Sequence, residues 1–185
     1  IARGLTKLWT GGFPITGLGA TFGFIGAGMP LGVPTPVWIS AVLVVVFYVV
    51  SRETPFGRHV YAVGSNEDAA RLSGVRINRV KLAVYSLAGL LSAAAGLIAT
   101  ARIDSATPIA GFGYELDSIA AVVIGGTSLS GGRGSILGTV IGCLIIGVLN
   151  SGLNVLGVSP FWQEVVKGFV ILAAVAIDRI RARAE

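Results

Sequence analysis

Residues 82–101 read LAVYSLAGLLSAAAGLIATA and decide the fold, because they form twenty consecutive residues without a charged side chain. Lys81 stands immediately before this segment and Arg102 immediately after it. A helix needs about 20 mostly apolar residues to cross roughly 30 Å of hydrocarbon. Residues 82–101 are therefore predicted to form a transmembrane helix.

The composition extends this interpretation to the whole chain. Hydrophobic residues make up 54% of the 185 residues and charged residues 12%, with a mean hydropathy of +0.83. An average soluble domain carries about 25% charged residues, roughly twice that share. The net charge of +5 does not indicate nucleic-acid binding, since the basic residues lie between and beyond apolar segments and form no stripe with aromatic residues. We expect an all-α fold, a polytopic transmembrane helical bundle.

Four more apolar segments complete the predicted domain, which covers residues 1–185. Three of them, at about 37–51, 136–156 and 161–177, approach or reach spanning length. The fourth, at 118–129, has only twelve residues and ends in a glycine cluster. We expect it to be a short span, a re-entrant segment or a tight turn between packed helices. Non-helical backbone at membrane depth is tolerated only where protein or a water-filled cavity satisfies it, so a break here is a candidate element of a pathway.

The distribution of basic residues predicts the cytoplasmic loops, because such loops carry an excess of Lys and Arg. Two stretches hold most of them, namely a loop with Arg52, Arg58, Arg71, Arg76, Arg79 and Lys81 and a tail with Arg179, Arg181 and Arg183. Residues 102–117 carry one basic residue against three acids and are expected outside. This order requires residues 118–129 to cross the membrane, and it places residues 1–36 at or beyond the outer face.

The charged loop at 52–81 contains a predicted short helix. Residues 64–74 read GSNEDAARLSG, with a helix signal at each end. Ser65 is expected to cap the start, where two acids also suit the helix dipole, and Gly74 suits a left-handed exit. A short capped helix between membrane spans is interpreted as a rigid handle that a soluble protein moves.

The small side chains of Ala69 and Ala70 support this interpretation, because they leave room for another protein to approach. The alternative is a connector lying on the membrane surface. Such a helix favours large apolar residues on one face. Only Leu72 meets that requirement.

Small residues at four-residue spacing predict two faces at which helices approach closely, since packing rather than hydrophobic force joins helices in lipid. The residues are Gly134, Gly138 and Gly142 on one face and Ala88, Ser92 and Gly96 on the other. Both faces are expected to contact protein, either as static packing or as a contact that rearranges.

Few polar residues lie within the apolar segments. Asn150 and Asn154 are one turn apart and either line a polar path or bind a neighbouring helix. Glu164 and Lys167, next to Gln163, can pair at i and i+3. An ionisable group inside the membrane is by default a functional hypothesis. The alternative is that Lys167 extends toward the interface.

Several chemistries are excluded by the residues themselves. The glycine-rich run at 125–135 lacks the P-loop spacing, because Gly132 stands where Lys is required. The single His59 and the distant single Cys143 do not suffice for a metal site, a catalytic triad or a disulfide framework.

Three stretches resemble the permease subunits of ribose-type bacterial ABC importers. They are GRHVYAVGSNE at 57–67, continuing to Gly74, GYELDSIAAVVIGGTSL at 113–129, and PLGVPTPVW at 30–38. The resemblance covers essentially the whole chain and corresponds to the C-terminal part of such a subunit. Since the chain begins at Ile1 without a methionine, we expect an N-terminal part to be missing.

The resemblance implies a translocation pathway for a monosaccharide in the bacterial inner membrane, with a cytoplasmic C-terminus. It implies a second permease copy, cytoplasmic ATP-binding subunits and a periplasmic sugar-binding protein as partners. ATP and Mg²⁺ are expected on the partner ATPase, so no cofactor and no catalytic residue is expected in this chain. The segment that couples to the ATPase is expected to comprise Gly64, Asn66, Glu67, Ala69, Ala70, Arg71 and Gly74.

The expected mechanism is alternating access, in which the ATPase moves the handle and the spans rock. The candidates for the pathway or for helix packing are Gly125, Gly126, Gly134, Gly138, Gly142, Asn150, Asn154 and Lys167. Two rival functions stay open. One is an ion-coupled secondary transporter, which needs membrane-embedded acids. The other is a permease for branched-chain amino acids or nucleosides in a related ABC importer.

Overall fold

A computed structural model describes the backbone of residues 1–184 and the side chains of residues 1–19, 21–173 and 175–176. The three arginines of the predicted cytoplasmic tail, at 179, 181 and 183, have side chains outside the described residues. The chain divides into two compact units. One consists of Ile1–Val45 and Lys81–Phe112, and the other of Val46–Val80 and the chain from Gly113 onward.

The described chain is mostly helical and has two short strands, so the predicted all-α fold class is confirmed. The elements are α1 (Ala2–Thr10), α2 (Ala20–Ala27), a short 3₁₀ helix (Pro30–Gly32), α3 (Thr35–Glu53), α4 (Pro55–Ser65), α5 (Glu67–Leu72), α6 (Ile77–Ile103), α7 (Tyr114–Ile124), α8 (Ile136–Val155) and α9 (Pro160–Ala184). Two short strands, β1 (Ile15–Thr16) and β2 (Ser105–Ala106), form an antiparallel pair.

Three of the described helices are long and apolar enough to cross a membrane, namely α3, α6 and α8. They lie where the spans at about 37–51, 82–101 and 136–156 are predicted, and α9 covers the predicted span at 161–177. The helix α7 has only eleven residues, about 16 Å at 1.5 Å per residue. It is too short to cross the hydrocarbon alone. The crossing that the loop charges require therefore stays a prediction, and the glycine-rich segment after α7 would have to complete it.

In the first unit, the strand pair brings Ile15 opposite Ala106. Beside it, Asp104 adopts φ +48, and its Oδ1 accepts a hydrogen bond from the Leu18 amide at 3.1 Å. Gly26 of α2 is buried against the last turn of α6, where a Cβ would overlap backbone atoms. The strands are too short for the alternating pattern that identifies a strand in a sequence.

The second unit has its core where α7 packs between α8 and α9. Ala120, Ala121 and Ile146 are buried together, with Val170 and Ile171 packed against them. Gly138 and Gly142 of α8 lie against Gly125 and Ala121, so the backbones of α7 and α8 approach closely.

The two predicted small-residue faces have different outcomes. Gly138 and Gly142 lie against the backbone of α7, so the prediction that this face contacts protein is confirmed. Ala88, Ser92 and Gly96 are exposed, and a Cβ on Gly96 would meet no atom within 4 Å. No part of the described chain packs on the α6 face, so its contact with protein stays a prediction. Small residues permit close approach but do not supply the partner.

Candidate functional site

The charged loop between α3 and α6 contains two helices and not one. Thr54 caps α4, because its Oγ1 accepts a hydrogen bond from the Gly57 amide at 3.2 Å, and Pro55 occupies the first helical position. Ser65 is the last residue of α4, so the prediction that it caps the short helix is wrong. These start signals for α4 lie outside the run on which the prediction of a single helix was based.

Asn66 is the joint between α4 and α5. Its amide donates to the Ala62 carbonyl at 3.1 Å and ends α4, while its side-chain Oδ1 accepts from the Ala69 amide at 2.9 Å and caps α5. One residue thus closes one helix and opens the next, and no flexible linker separates them. The short helix ends as predicted, since Gly74 adopts a left-handed φ of +84.

The exposed surface of α5 differs from the predicted contact surface at one position. Ala70 is only 5% exposed, so its interpretation as room for another protein is wrong. Its side chain already packs within its own chain. Ala69, Arg71 and Leu72 are exposed, with Leu72 at 90%. Arg71 pairs with Glu67 one turn away at 3.6 Å, a surface ion pair that contributes little to stability.

The end of α4 rests on the glycine-rich loop that joins α7 to α8. A Cβ on Gly64 would lie 3.0 Å from the Gly132 amide nitrogen, and a Cβ on Gly132 would lie 2.9 Å from the Cα of Ser65. The phenol oxygen of Tyr61 donates a hydrogen bond to the Gly134 carbonyl at 3.1 Å. The charged loop and the glycine-rich loop therefore meet at backbone contact distance, and no local sequence pattern predicts this contact.

The glycine-rich loop, residues 125–134, is held in shape by its own hydrogen bonds. The Ser128 amide donates to the Arg133 carbonyl at 3.0 Å, which closes a turn. The Thr127 amide donates to the last turn of α7 at 3.1 Å, and Ser135 caps α8 by accepting from the Gly138 amide at 2.9 Å. Both ends of the loop are thus fastened to the adjoining helices.

A polar cluster joins α7, α8 and α9. Lys167 Nζ lies 3.0 Å from Asp117 Oδ2, with side chains 23% and 21% exposed. The Asn150 amide group donates to the same carboxylate oxygen at 3.4 Å. The pair of Glu164 with Lys167 that the spacing allows does not form, because Lys167 reaches the carboxylate on α7 and Glu164 is exposed. The extension of Lys167 toward the interface stays a prediction, because the contact places the ammonium relative to α7 and not relative to a membrane.

Asp117 is not among the site residues that the sequence predicts. The lysine inside the apolar part of α9 indicates that an acidic partner lies nearby, because a charged group inside the membrane is usually paired. This lysine is the feature of the sequence that points to Asp117. Sequence spacing favours the near carboxylate of Glu164. Only the packing of α9 on α7 brings Asp117, fifty residues away, within reach.

The remaining polar candidates extend the cluster. Gln163 Nε2 donates to Asn154 Oδ1 at 3.3 Å and to the Val158 carbonyl at 2.8 Å. Asn150 Oδ1 is buried without a hydrogen-bond partner among the described residues. The two asparagines thus bind neighbouring helices or turns, one of the two interpretations that the sequence left open. Of the glycine candidates, Gly125 contacts Gly138, whereas a Cβ on Gly126 would meet nothing within 4 Å.

The comparisons with known proteins are consistent with this architecture. Residues 3–175 match the protein family described as branched-chain amino acid transport system / permease component. The chain is 60% identical over 181 residues to the ribose import permease protein of Bacillus subtilis (strain 168). The aligned residues cover 97% of this chain and 56% of that protein. It is 54% identical over 182 residues to the ribose import permease protein of Escherichia coli (strain K12), covering 96% and 57%.

A further relative is named for a different sugar. The L-arabinose transport system permease protein of Escherichia coli (strain K12) is 40% identical over 185 residues, which covers all of this chain and 56% of that protein. The chain thus spans little more than half the length of the relatives it matches. No solved structure matches it.

Proposed function

The chain belongs to the family of branched-chain amino acid transport system permease components, and we propose that it forms part of the translocation pathway of an ATP-driven importer for a monosaccharide such as ribose. It is a multi-pass membrane protein, as its apolar helices and its relatives indicate. The observation that carries the proposal is the 60% identity over 97% of the chain to a ribose import permease.

The polar cluster favours a neutral substrate over a zwitterion. Asp117 and Lys167 neutralise each other at 3.0 Å, so neither offers a fixed counter-charge to an amino acid. Asn150, Asn154 and Gln163 supply amide groups, which suit the hydroxyls of a sugar. We propose that this side of α8 and α9 borders the sugar path, and that the alternative substrates, branched-chain amino acids and nucleosides, are not carried.

The energy for transport is proposed to come from partner subunits. ATP and Mg²⁺ bind a cytoplasmic ATPase, a periplasmic binding protein delivers the sugar, and a second permease copy completes the pathway. The chain lies in the bacterial inner membrane with its C-terminus in the cytoplasm. The ion-coupled rival needs a membrane acid that is available to bind the coupling ion, whereas the carboxylate of Asp117 is already paired with Lys167.

The surface proposed to contact the ATPase is the exposed side of α5. It presents Ala69, Arg71 and Leu72 to solvent. The cap at Asn66 joins this short helix directly to α4, so a push on α5 moves both helices. In alternating access, such a movement is passed on to the spans.

The proposal is tested by sugar uptake in proteoliposomes that contain the complete permease, its ATPase and its binding protein. Uptake of labelled ribose is expected to require ATP and to persist when ionophores dissipate ion gradients. Uptake that continues without ATP and stops with the ionophores would establish the ion-coupled rival instead. Labelled leucine and a labelled nucleoside serve as controls for the other substrate classes.

The coupling surface is tested at Ala69 in the same system. Ala69→Trp is expected to reduce ribose uptake about tenfold, within the range typical of coupling between two sites, because the bulk prevents close docking of the ATPase. Ala69→Ser keeps the small volume at the same position and is expected to transport like the parent protein. Equal uptake by both variants would remove α5 from the docking surface.

A further inference from the structure

We propose that Tyr61 and Gly132 are positioning residues that hold α4, and α5 joined to it, on the glycine-rich loop. This inference rests on the proposed function. Through these two residues, the movement of the ATPase is passed to α7 and α8. All the elements of this path lie in the second unit. The path begins at α5, passes through the Asn66 joint to α4, crosses to the loop, and ends at the two packed helices.

The crossing from α4 to the loop is a contact of backbone on backbone. Gly64 and Ser65 of α4 lie against Gly131 and Gly132, and a Cβ on either loop glycine would overlap α4. Packed backbones transmit a displacement more directly than long side chains, which absorb it by changing rotamer. Glycine is favoured at position 132 for two reasons. A Cβ there has no space beside α4, and the residue adopts a φ of +75.

The Tyr61 hydrogen bond fixes the contact sideways. Its hydroxyl donates to the Gly134 carbonyl at 3.1 Å, and its side chain is half-buried. Because Gly134 lies next to Ser135, the cap of α8, this bond attaches α4 to the start of α8. A movement of α4 therefore reaches the first turn of α8 through one hydrogen bond and one residue.

The far side of the loop is equally close to the helices. Gly125 at the end of α7 contacts Gly138 on α8, and Gly142 contacts Ala121 one turn further along. The turn closed by Ser128 keeps the loop itself from yielding. The loop thus joins the end of α4 to two helices that move together. Their opposite end carries the polar cluster proposed to border the sugar path.

The test compares two alanine substitutions at glycines with similar backbone strain. Gly132→Ala adds a Cβ at φ +75 against Ser65, whereas Gly157→Ala adds one at φ +69 in open space beyond α8. In the reconstituted complex, Gly132→Ala is expected to lower the number of sugar molecules transported per ATP about tenfold, a change typical of coupling between sites. Gly157→Ala is expected to keep the parent ratio. A purely structural defect would lower the amount of assembled complex and leave the ratio unchanged.

Tyr61→Phe provides a second variant that leaves backbone spacing intact. Loss of its hydrogen bond is expected to lower the same ratio about threefold, the effect of one net hydrogen bond. Ratios equal to the parent value in both Gly132→Ala and Tyr61→Phe would overturn the inference. A parent complex without any ATP-dependent uptake would instead overturn the proposed function, so the two failures are distinguishable.

Discussion

The small-residue faces of α8 and α6 have the same spacing and opposite surroundings. Gly138 and Gly142 of α8 touch the backbone of α7, and no side chain fits between the two helices. Ala88, Ser92 and Gly96 of α6 are exposed along the same kind of stripe. The spacing of small residues therefore indicates only that another helix can approach this face closely. Whether the neighbour belongs to the described chain depends on what the rest of the fold presents.

The α8 face also differs in what its neighbour does. Through α7, this helix is attached to the glycine-rich loop at one end and to an ion pair at the other. About 12 Å of helix axis separates Asp117 from Gly125, at 1.5 Å per residue. The packed face thus lies between the glycine-rich loop and the ion pair of Asp117 with Lys167. The α6 face has no such role among the described contacts.

The largest effect expected is that of Gly142→Leu on α8. A Cβ at this position already overlaps the Ala121 carbonyl, so the helices must separate. We expect the free energy of unfolding to fall by about 3 kcal/mol or more, at the upper end of overpacking costs. Thermal or SDS denaturation of the purified complete subunit measures the change.

Two matched substitutions sharpen this comparison. Gly147→Leu lies on the same helix and Gly96→Leu on α6, and a Cβ at either position meets nothing within 4 Å. Both variants are expected to denature like the parent protein. A loss for Gly96→Leu as large as that for Gly142→Leu would break the contrast, because it would show that protein from outside the described chain covers the α6 face.

The next effect concerns the ion pair at the polar end of α7. Lys167→Met leaves Asp117 without its cation, and we expect a loss of about 2 kcal/mol, below the value for a fully buried pair because each side chain stays about one-fifth exposed. The double variant Asp117→Asn with Lys167→Met removes both charges and should recover most of the stability. Additive losses in the double variant would contradict an ion pair.

The smallest effect expected is at the turn between α8 and α9. Gln163→Leu removes the hydrogen bonds to Asn154 and to the Val158 carbonyl, and should cost about 1 kcal/mol in the same denaturation assay. Glu164→Gln, at the adjacent exposed position, is the control and should have no effect. If the control is the more damaging variant, the exposed carboxylate has a role that this packing does not explain.

Much of the fold could be predicted because it depends on local properties. Apolar length located α3, α6, α8 and α9, and Gly74 identified the exit of α5. One error occurred where two local signals competed. Ser65 and Asn66 are both favourable residues for capping α5. Because α4 extends through Ser65, Asn66 is the residue that caps α5.

The sequence by itself determined which segments are apolar enough for a membrane and which residues are small. These properties depend on residues that are neighbours along the chain. Only the tertiary structure decided that Lys167 binds Asp117 and that Gly132 supports the end of α4. Each of these contacts joins residues far apart in sequence. Partners at that separation are chosen by helix packing, which no local pattern encodes.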